Sequence, residues 1–418
     1  MSILRFFRTK QIDNRWYLID PQGNKFISLG VDSIKFLPLE ARGLGYSPYN
    51  RAVTAKYGGI ENWAKATAER LRKWGFNTIG SWSDPVMFRQ GMPYTVLLGL
   101  SPFTEGPDPL YMKGCFPDVF SESFKEYVEA RAKEICTEHR DNPMLIGYFL
   151  ENEMNWLPSW TTLKYMLERF LLLKPGSAGR KAAVEYLIDR YKGDLHHFNT
   201  NWDTSLKSFA DLNKGKGISA GQNKKTEAIR EDNSGFLTLV ARKYFEVCVN
   251  AVKAVDKNHL ILGVRFAGRA PDEAAAECGR FCDVVTINTY ESEVPRLALE
   301  RIYELAQKPI MITEFSFKAA DSGLPNTRGA GRPVPLQHDR AVGYERFVKS
   351  GLALPFIVGF HWFMYTDEPK EGRVDSQGRI DRENSNFGIV NINDEEWKEL
   401  VECMKRVNAE ITSSLTKE

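Results

Sequence analysis

Eight short apolar runs, separated by segments of helical periodicity, limit what this chain can fold into. They centre near residues 26, 76, 94, 145, 260, 284, 310 and 357. Runs dense in Ile, Val, Leu and Phe without strict alternation read as strands buried on both faces, the condition of a parallel sheet. Eight of them alternating with helices predict an α/β fold, a (β/α)8 TIM barrel whose strands open their carboxyl ends on one mouth. A doubly wound sheet is disfavoured, because no strand runs into a glycine-rich phosphate loop. Length alone, 418 residues, would suggest two or three domains, but a barrel accommodates it as one. The expected organisation is a single catalytic domain over 1–418, with an N-terminal β-hairpin in 1–24 and a helical insertion over 157–234.

The hairpin follows from two β-type runs flanking the turn Asp20-Pro21-Gln22-Gly23-Asn24. Helical spacing is clear from Asn62 to Trp74, closed by Gly75, and again over Ser121–His139, Phe236–Val255, Arg296–Leu305 and Gln337–Leu352. The stretch after Trp156 is too long for a connection. Its helical patterns, Leu163–Leu173 and Ala182–Tyr191, and the Gly/Lys-rich Asn213–Gln222 segment predict an inserted helical unit rising from the loop after strand four.

Chemistry enters at the strand ends. The run Met144–Leu150 stops at Glu151-Asn152-Glu153, and Pro309–Thr313 stops at Glu314. Two strand-terminal glutamates on one mouth form the pair that cleavage of a glycosidic bond requires, with about 5–5.5 Å between carboxyls for direct nucleophilic attack. Asn152 sits beside Glu153, and Asp32, Trp82, Arg265, Asn288, Tyr290, His361 and Trp362 fall at other strand ends. Each has a plainer explanation alone: Arg265 as partner of a structural carboxylate, Tyr290 as core, His361 as a satisfied core histidine. Their convergence on one face is what those explanations leave out.

The chain resembles the clan A glycoside hydrolases, most closely family 50 (β-agarases) and also family 42 (β-galactosidases). The resemblance is carried by RWYLIDPQGNKFISLGVDS at Arg15–Ser33, LRKWGFNTIGSWSD at Leu71–Asp84 and DNPMLIGYFLENEMNW at Asp141–Trp156. It continues through INTY at Ile287–Tyr290, ITEFSF at Ile312–Phe317, GFHWFMYTDEP at Gly359–Pro369 and ENSNFGIVNINDE at Glu383–Glu395. It implies a retaining β-glycoside hydrolase acting on β-linked galactosides or related oligosaccharides through a covalent glycosyl-enzyme. Glu153 would be the acid/base and Glu314 the nucleophile. Asn152 would hold the hydroxyl beside the reacting carbon, Tyr290 would bond the nucleophile and Trp362 would floor the sugar. Trp82, Arg265, His361, Asp32 and Glu383 would complete the substrate site. Glu151 stands where these families usually carry Asp. Strict alternation points Glu151 and Glu153 to the same side, so Glu151 competes for the acid/base role, and the Asn-Glu order favours Glu153. The alternatives are a β-glucanase or β-mannanase on the same scaffold, a non-catalytic sugar-binding barrel, or a lyase holding magnesium on three carboxylates.

Composition excludes some partners. A net charge of +2 with 26% charged residues gives no field to draw nucleic acid or a membrane surface. The plentiful aromatics, 25 Phe, 16 Tyr and 9 Trp, suit stacking on an oligosaccharide or polysaccharide. Six scattered cysteines have no zinc-type spacing, so neither metal nor other cofactor is expected. Arg5, Arg8 and Lys10 interrupt the apolar start; without a secretory pattern, the cytoplasm is the expected location. Self-association is left open.

Overall fold

The computed structural model describes residues 6–101, 116–158, 164–214 and 227–415. The apolar runs form a curled parallel sheet: β1 (Ser28–Val31), β2 (Thr78–Ile79), β3 (Tyr94–Leu97), β4 (Leu145–Phe149), β5 in two pieces (Leu260–Ile261 and Phe266–Ala267), β6 (Val285–Asn288), β7 (Ile310–Phe315) and β8 (Ile357–Trp362). Among the described residues, the hydrogen-bond order runs from Phe266–Ala267 through β6, β7, β8, β1, β2, β3 and β4 to Leu260–Ile261. The two ends of that order are halves of one segment. Leu262 N donates to Tyr148 O (2.8 Å) and Asp283 N to Ile261 O (2.9 Å), so the segment meets β4 on one side and the approach to β6 on the other. This is TIM-like barrel topology. Every residue of β4, β7 and β8 is buried, which explains their predominantly apolar character.

The break in β5 has a local cause. Gly263 and Arg265 have φ of 77° and 48°, outside the extended region. The shortness of β2 has another. Asn77 Oδ1 accepts Leu29 N at 2.8 Å, so a side chain continues the contact with β1 before Thr78 begins the strand.

Arg8–Ile12, Arg15–Ile19 and Lys25–Phe26 form an antiparallel sheet. Its Phe7 and Leu18 share a buried cluster with Ile146, Leu262, Met311 and Val358 of the barrel, and Trp16 N donates to Pro355 O just before β8 (2.7 Å). The sheet therefore covers the amino end of the barrel, opposite the carboxyl ends of its strands.

Helices α1 (Pro48–Tyr57), α2 (Ile60–Lys73) and α3 (Glu122–His139) precede β4. Ser47 and Ser121 cap α1 and α3 by accepting the backbone N–H three residues on. After β4 come α4 (Met166–Leu171), α5 (Ala178–Arg190), α6 (Leu195–Trp202) and α7 (Glu227–Val255). Of the expected insertion, residues 159–163 and 215–226 lie outside the described residues, as does Cys115. The outer layer closes with α8 (Asp272–Phe281), α9 (Arg296–Ala306), α10 (Gln337–Leu352) and α11 (Lys398–Leu415).

Helix α7 begins nine residues before the expected Phe236. Asp232, Asn233, Ser234 and Gly235 fall before the expected start of this helix, yet they are how α7 binds the preceding helices. Buried Asp232 accepts Tyr191 Oη (2.6 Å), Trp202 Nε1 (2.8 Å) and Arg190 Nε (3.0 Å). A Cβ at Gly235 would lie 2.3 Å from the Tyr186 hydroxyl.

Strand spacing is equally tight at Gly147, where a Cβ would lie 2.2 Å from Leu260 O. Both atoms are backbone-fixed, so relief requires β4 and β5 to separate. Gly147→Ala should cost about 1–3 kcal/mol or more of stability, read as a lower urea midpoint. An unchanged midpoint would contradict the close packing of these strands.

Candidate active site

Arg265 sits at the centre of the mouth. Its Nη2 lies 2.7 Å from Asp32 Oδ2, 2.7 Å from Thr313 O and 3.1 Å from Glu314 Oε1. The guanidinium carbon stands 4.2 Å from the centroid of the Trp82 ring. Asp32 uses its other oxygen to accept Ser81 N at 2.8 Å. One buried cation thus joins the ends of β1, β2, β5 and β7, with both carboxylates paired as burial demands. Gly80 makes this possible, since a Cβ there would fall 2.0 Å from Asp32 Oδ1. Ser33, Trp82, Glu153 and Arg265 all have φ between 48° and 58°. Such left-handed backbone at four strand ends around one mouth is the clustering expected of a functional site.

The two glutamates meet through Asn288. Its Nδ2 is 2.8 Å from Glu314 Oε1, 3.0 Å from Glu153 Oε1 and 3.2 Å from Asn152 Oδ1. Two contacts to one nitrogen limit the separation of those carboxylate oxygens to the sum of the two distances. Asn288 thus brings one oxygen of each carboxyl to a common donor. Glu314 is buried, whereas Glu153 is partly exposed. Tyr290 Oη donates to Glu314 Oε2 at 2.5 Å, so Glu314 faces three donors on two oxygens. Burial nevertheless pushes its carboxyl up to about 8, aided by the charge of Glu153 and opposed first by Arg265. Burial and the adjacent Glu314 likewise raise the Tyr290 phenol well above its ordinary range.

Glu151 turns away from this group. Its oxygens accept Ser101 N (2.7 Å) and Asn152 N (3.0 Å), and burial raises it to about 7. The alternation that would place it beside Glu153 is broken by the left-handed backbone at Glu153, whose N donates to Arg265 O at 3.2 Å.

His361 lies beneath the mouth. Its Nε2 is 2.9 Å from Ser28 Oγ and its Nδ1 is 3.6 Å from Asp32 Oδ1. Gly30 leaves room for its ring, which a Cβ would meet at 2.5 Å. Trp362 faces the helical layer. It is fully buried, donates Nε1 to Phe387 O at 2.9 Å, and packs on Phe315 and on Tyr344 of α10. The ring from this strand end that meets Tyr290 is Phe363, at 6.4 Å between centroids, with Trp82 at 6.1 Å and Phe387 at 5.6 Å from Phe363. Sequence reasoning missed Phe363 and Phe387. The signal was present in alternation, which puts Phe363 on the face opposite Trp362. Glu383 is buried against Arg373, which also binds Glu368 (3.2 Å) and Asp381 (3.0 Å). The Glu383 charge contributes to raising the Tyr290 phenol.

Among the described residues no cluster of three His, Cys, Asp or Glu side chains is arranged to hold a metal ion. Arg265 occupies the space between Asp32 and Glu314, so cationic charge at the site is supplied by the protein.

Glu314 ties stability to pH. Its folded value, about 8, lies above the ~4.3 of an unfolded Glu, so its contribution is fully present below the unfolded value and lost as pH rises through about 8. Glu314→Gln should therefore melt increasingly above the wild type as pH rises from 5 to 9. A constant difference in melting temperature across that range would contradict the burial argument.

No family model matches the chain. Beta-agarase B from Vibrio sp. (strain JT0107) is 28% identical over 475 residues, covering 97% of this chain and 48% of the relative. Beta-agarase A from the same organism is 29% identical, covering 96% and 45%. A solved exo-beta-agarase superposes with a TM-score of 0.85 at 25% identity, covering 100% of this chain and 67% of that one. The chain spans about half the length of the curated relatives it matches. Its resemblance to family 50 glycoside hydrolases thus holds in sequence and in fold across nearly the whole chain.

Proposed function

We propose that this chain is a retaining β-glycoside hydrolase acting on β-linked galactans of the agar type. The observation that carries the reading is the shared contact of Glu153 and Glu314 with Asn288 Nδ2, at 3.0 and 2.8 Å. At that spacing a carboxylate attacks the anomeric carbon directly. The similarity to beta-agarases supports a galactan as the substrate class.

The proton of the pair determines the roles. Glu314 faces Arg265, Asn288 and Tyr290, all donating to it. Among the described residues, Glu153 takes its side-chain hydrogen bond from Asn288. In the reacting complex the donors favour charge on Glu314 and leave the shared proton to Glu153. Glu314 then forms the ester to the sugar while Glu153 protonates the departing oxygen. With Glu314 esterified its charge is gone, and Glu153 acts as base toward the incoming water. Trp82, Tyr290, Phe363 and Phe387 supply apolar walls on which a sugar ring packs. The segment following β4 begins directly after Glu153. A unit in that position narrows the mouth toward chain ends, and a ladder of random product sizes from a long galactan would contradict chain-end action.

Three outcomes test the mechanism. The first-formed product should keep the β configuration, and an inverted anomer would overturn it. Glu153→Ala should slow substrates with poor leaving groups by about 10²–10⁴-fold, spare activated aryl β-galactosides, and yield a β-glycosyl azide when azide is added; Glu314→Ala should abolish turnover of all of them. Activity, kcat/KM, should fall as pH rises through about 8, where the pair gives up its proton. A profile flat to pH 10 would contradict that assignment. A parallel panel of aryl β-glucosides and β-mannosides tests the sugar, and preference for either would replace galactan as the substrate.

A further inference from the structure

The ladder between β3 and β4 runs past both strands. Leu98 N donates to Phe149 O (2.9 Å) and Leu100 N to Leu150 O (3.0 Å). At Ser101 the acceptor changes: its N–H goes to Glu151 Oε2 at 2.7 Å, while Glu151 Oε1 accepts Asn152 N–H at 3.0 Å. A side-chain carboxylate stands where the next backbone carbonyl would serve. The backbone of 151–153 is thereby free to leave the sheet, and it does so at Glu153, φ 53°. Ser101 also reaches the far side of this turn, with Oγ 3.9 Å from Met154 Sδ. Ser101 therefore grips the chain on both sides of Asn152-Glu153. Behind Glu151 lie Tyr244 and Cys248 of α7, close enough for its charge to act on both.

We infer that Glu151 is a positioning residue for Glu153: by binding the Ser101 and Asn152 N–H groups with separate oxygens, it sets the turn that aims Glu153 at the scissile bond. The inference rests on the hydrolase reading above. It requires two acceptor oxygens. Gln has one, and its amide nitrogen would face an N–H that it cannot accept. Asp has two, on a side chain one methylene shorter.

The test compares the full-length wild type, Glu151→Gln, Glu153→Ala and the double variant on a poor-leaving-group and an activated aryl β-galactoside, with melting curves alongside. Glu151→Gln should lower kcat on the poor-leaving-group substrate by about tenfold or more, part of the ~10²–10⁴ a general acid supplies. KM should stay within about twofold and the activated substrate should be much less affected. Added to Glu153→Ala, it should cost nothing further, because no acid remains to be aimed. Equal losses on both substrates, a change in KM alone, or the same loss on the Glu153→Ala background would overturn the inference. Should Glu151→Gln fail to fold, Glu151→Asp is measured the same way: its side chain, one methylene shorter, draws the two acceptor oxygens away from the Ser101 and Asn152 N–H groups, so the same pattern is expected and the same contrary results are decisive. If the wild type turns over no aryl β-glycoside, the hydrolase reading falls and this inference with it. If Glu153→Ala shows the leaving-group dependence and the Glu151 variants do not, this inference alone falls.

Discussion

The buried contact of Arg265 with Asp32 and Glu314 is the constraint on which the rest of the mouth depends. One guanidinium nitrogen holds two carboxylates and the Thr313 carbonyl, joining strand ends that are remote in sequence. Removing one partner of a fully buried pair typically costs about 3–5 kcal/mol, because the remaining charge is left without compensation. Arginine suits the position for a further reason. Its planar, weakly hydrated cation pairs sideways with carboxylates while its face lies on Trp82. Much of the surrounding backbone serves this contact. Gly80 clears the space that Asp32 occupies, and the left-handed Arg265 breaks β5 to deliver its side chain inward.

Opposing electrostatic demands meet on Glu314. Burial and the neighbouring Glu153 favour its neutral form, while Arg265 and Tyr290 favour its charged form. A nucleophile placed in this way is costly to ionise in the resting site, yet already surrounded by donors when a sugar displaces water and draws the proton toward the leaving group. Asn288 connects the two carboxyls by offering two hydrogens to three oxygens. It couples the position of each glutamate to the other.

Much of this was legible in the sequence, and the failures share a cause. Buried parallel strands announce themselves by runs dense in apolar residues, as in Ile310–Phe315 and Ile357–Trp362, and α10 runs over the residues its pattern indicates. The carboxyl-terminal position of Glu314 and Tyr290 follows from strand and turn alone. What periodicity does not encode is a departure from regular backbone. The left-handed φ of Glu153 separates it from Glu151, a distinction that alternation assigns the other way. At the end of β8 the Trp362 indole packs on Tyr344 of α10, while its neighbour Phe363 meets Tyr290. The polar start of α7 has the composition of a loop. Its Asp232 becomes helical because Tyr191, Trp202 and Arg190 satisfy it from elements distant in sequence, information no local window contains.

The central claim is that Glu314 forms a covalent bond to the sugar while Glu153 manages the proton. A 2-deoxy-2-fluoro-β-galactoside with an activated leaving group slows the second step and traps that bond, so proteolysis and mass spectrometry of the inactivated protein locate it. The account predicts one added fluorosugar, on the peptide containing Glu314 and on that side chain. A label on Glu153 or Glu151, or turnover of the reagent to the inverted anomer without any adduct, would contradict it.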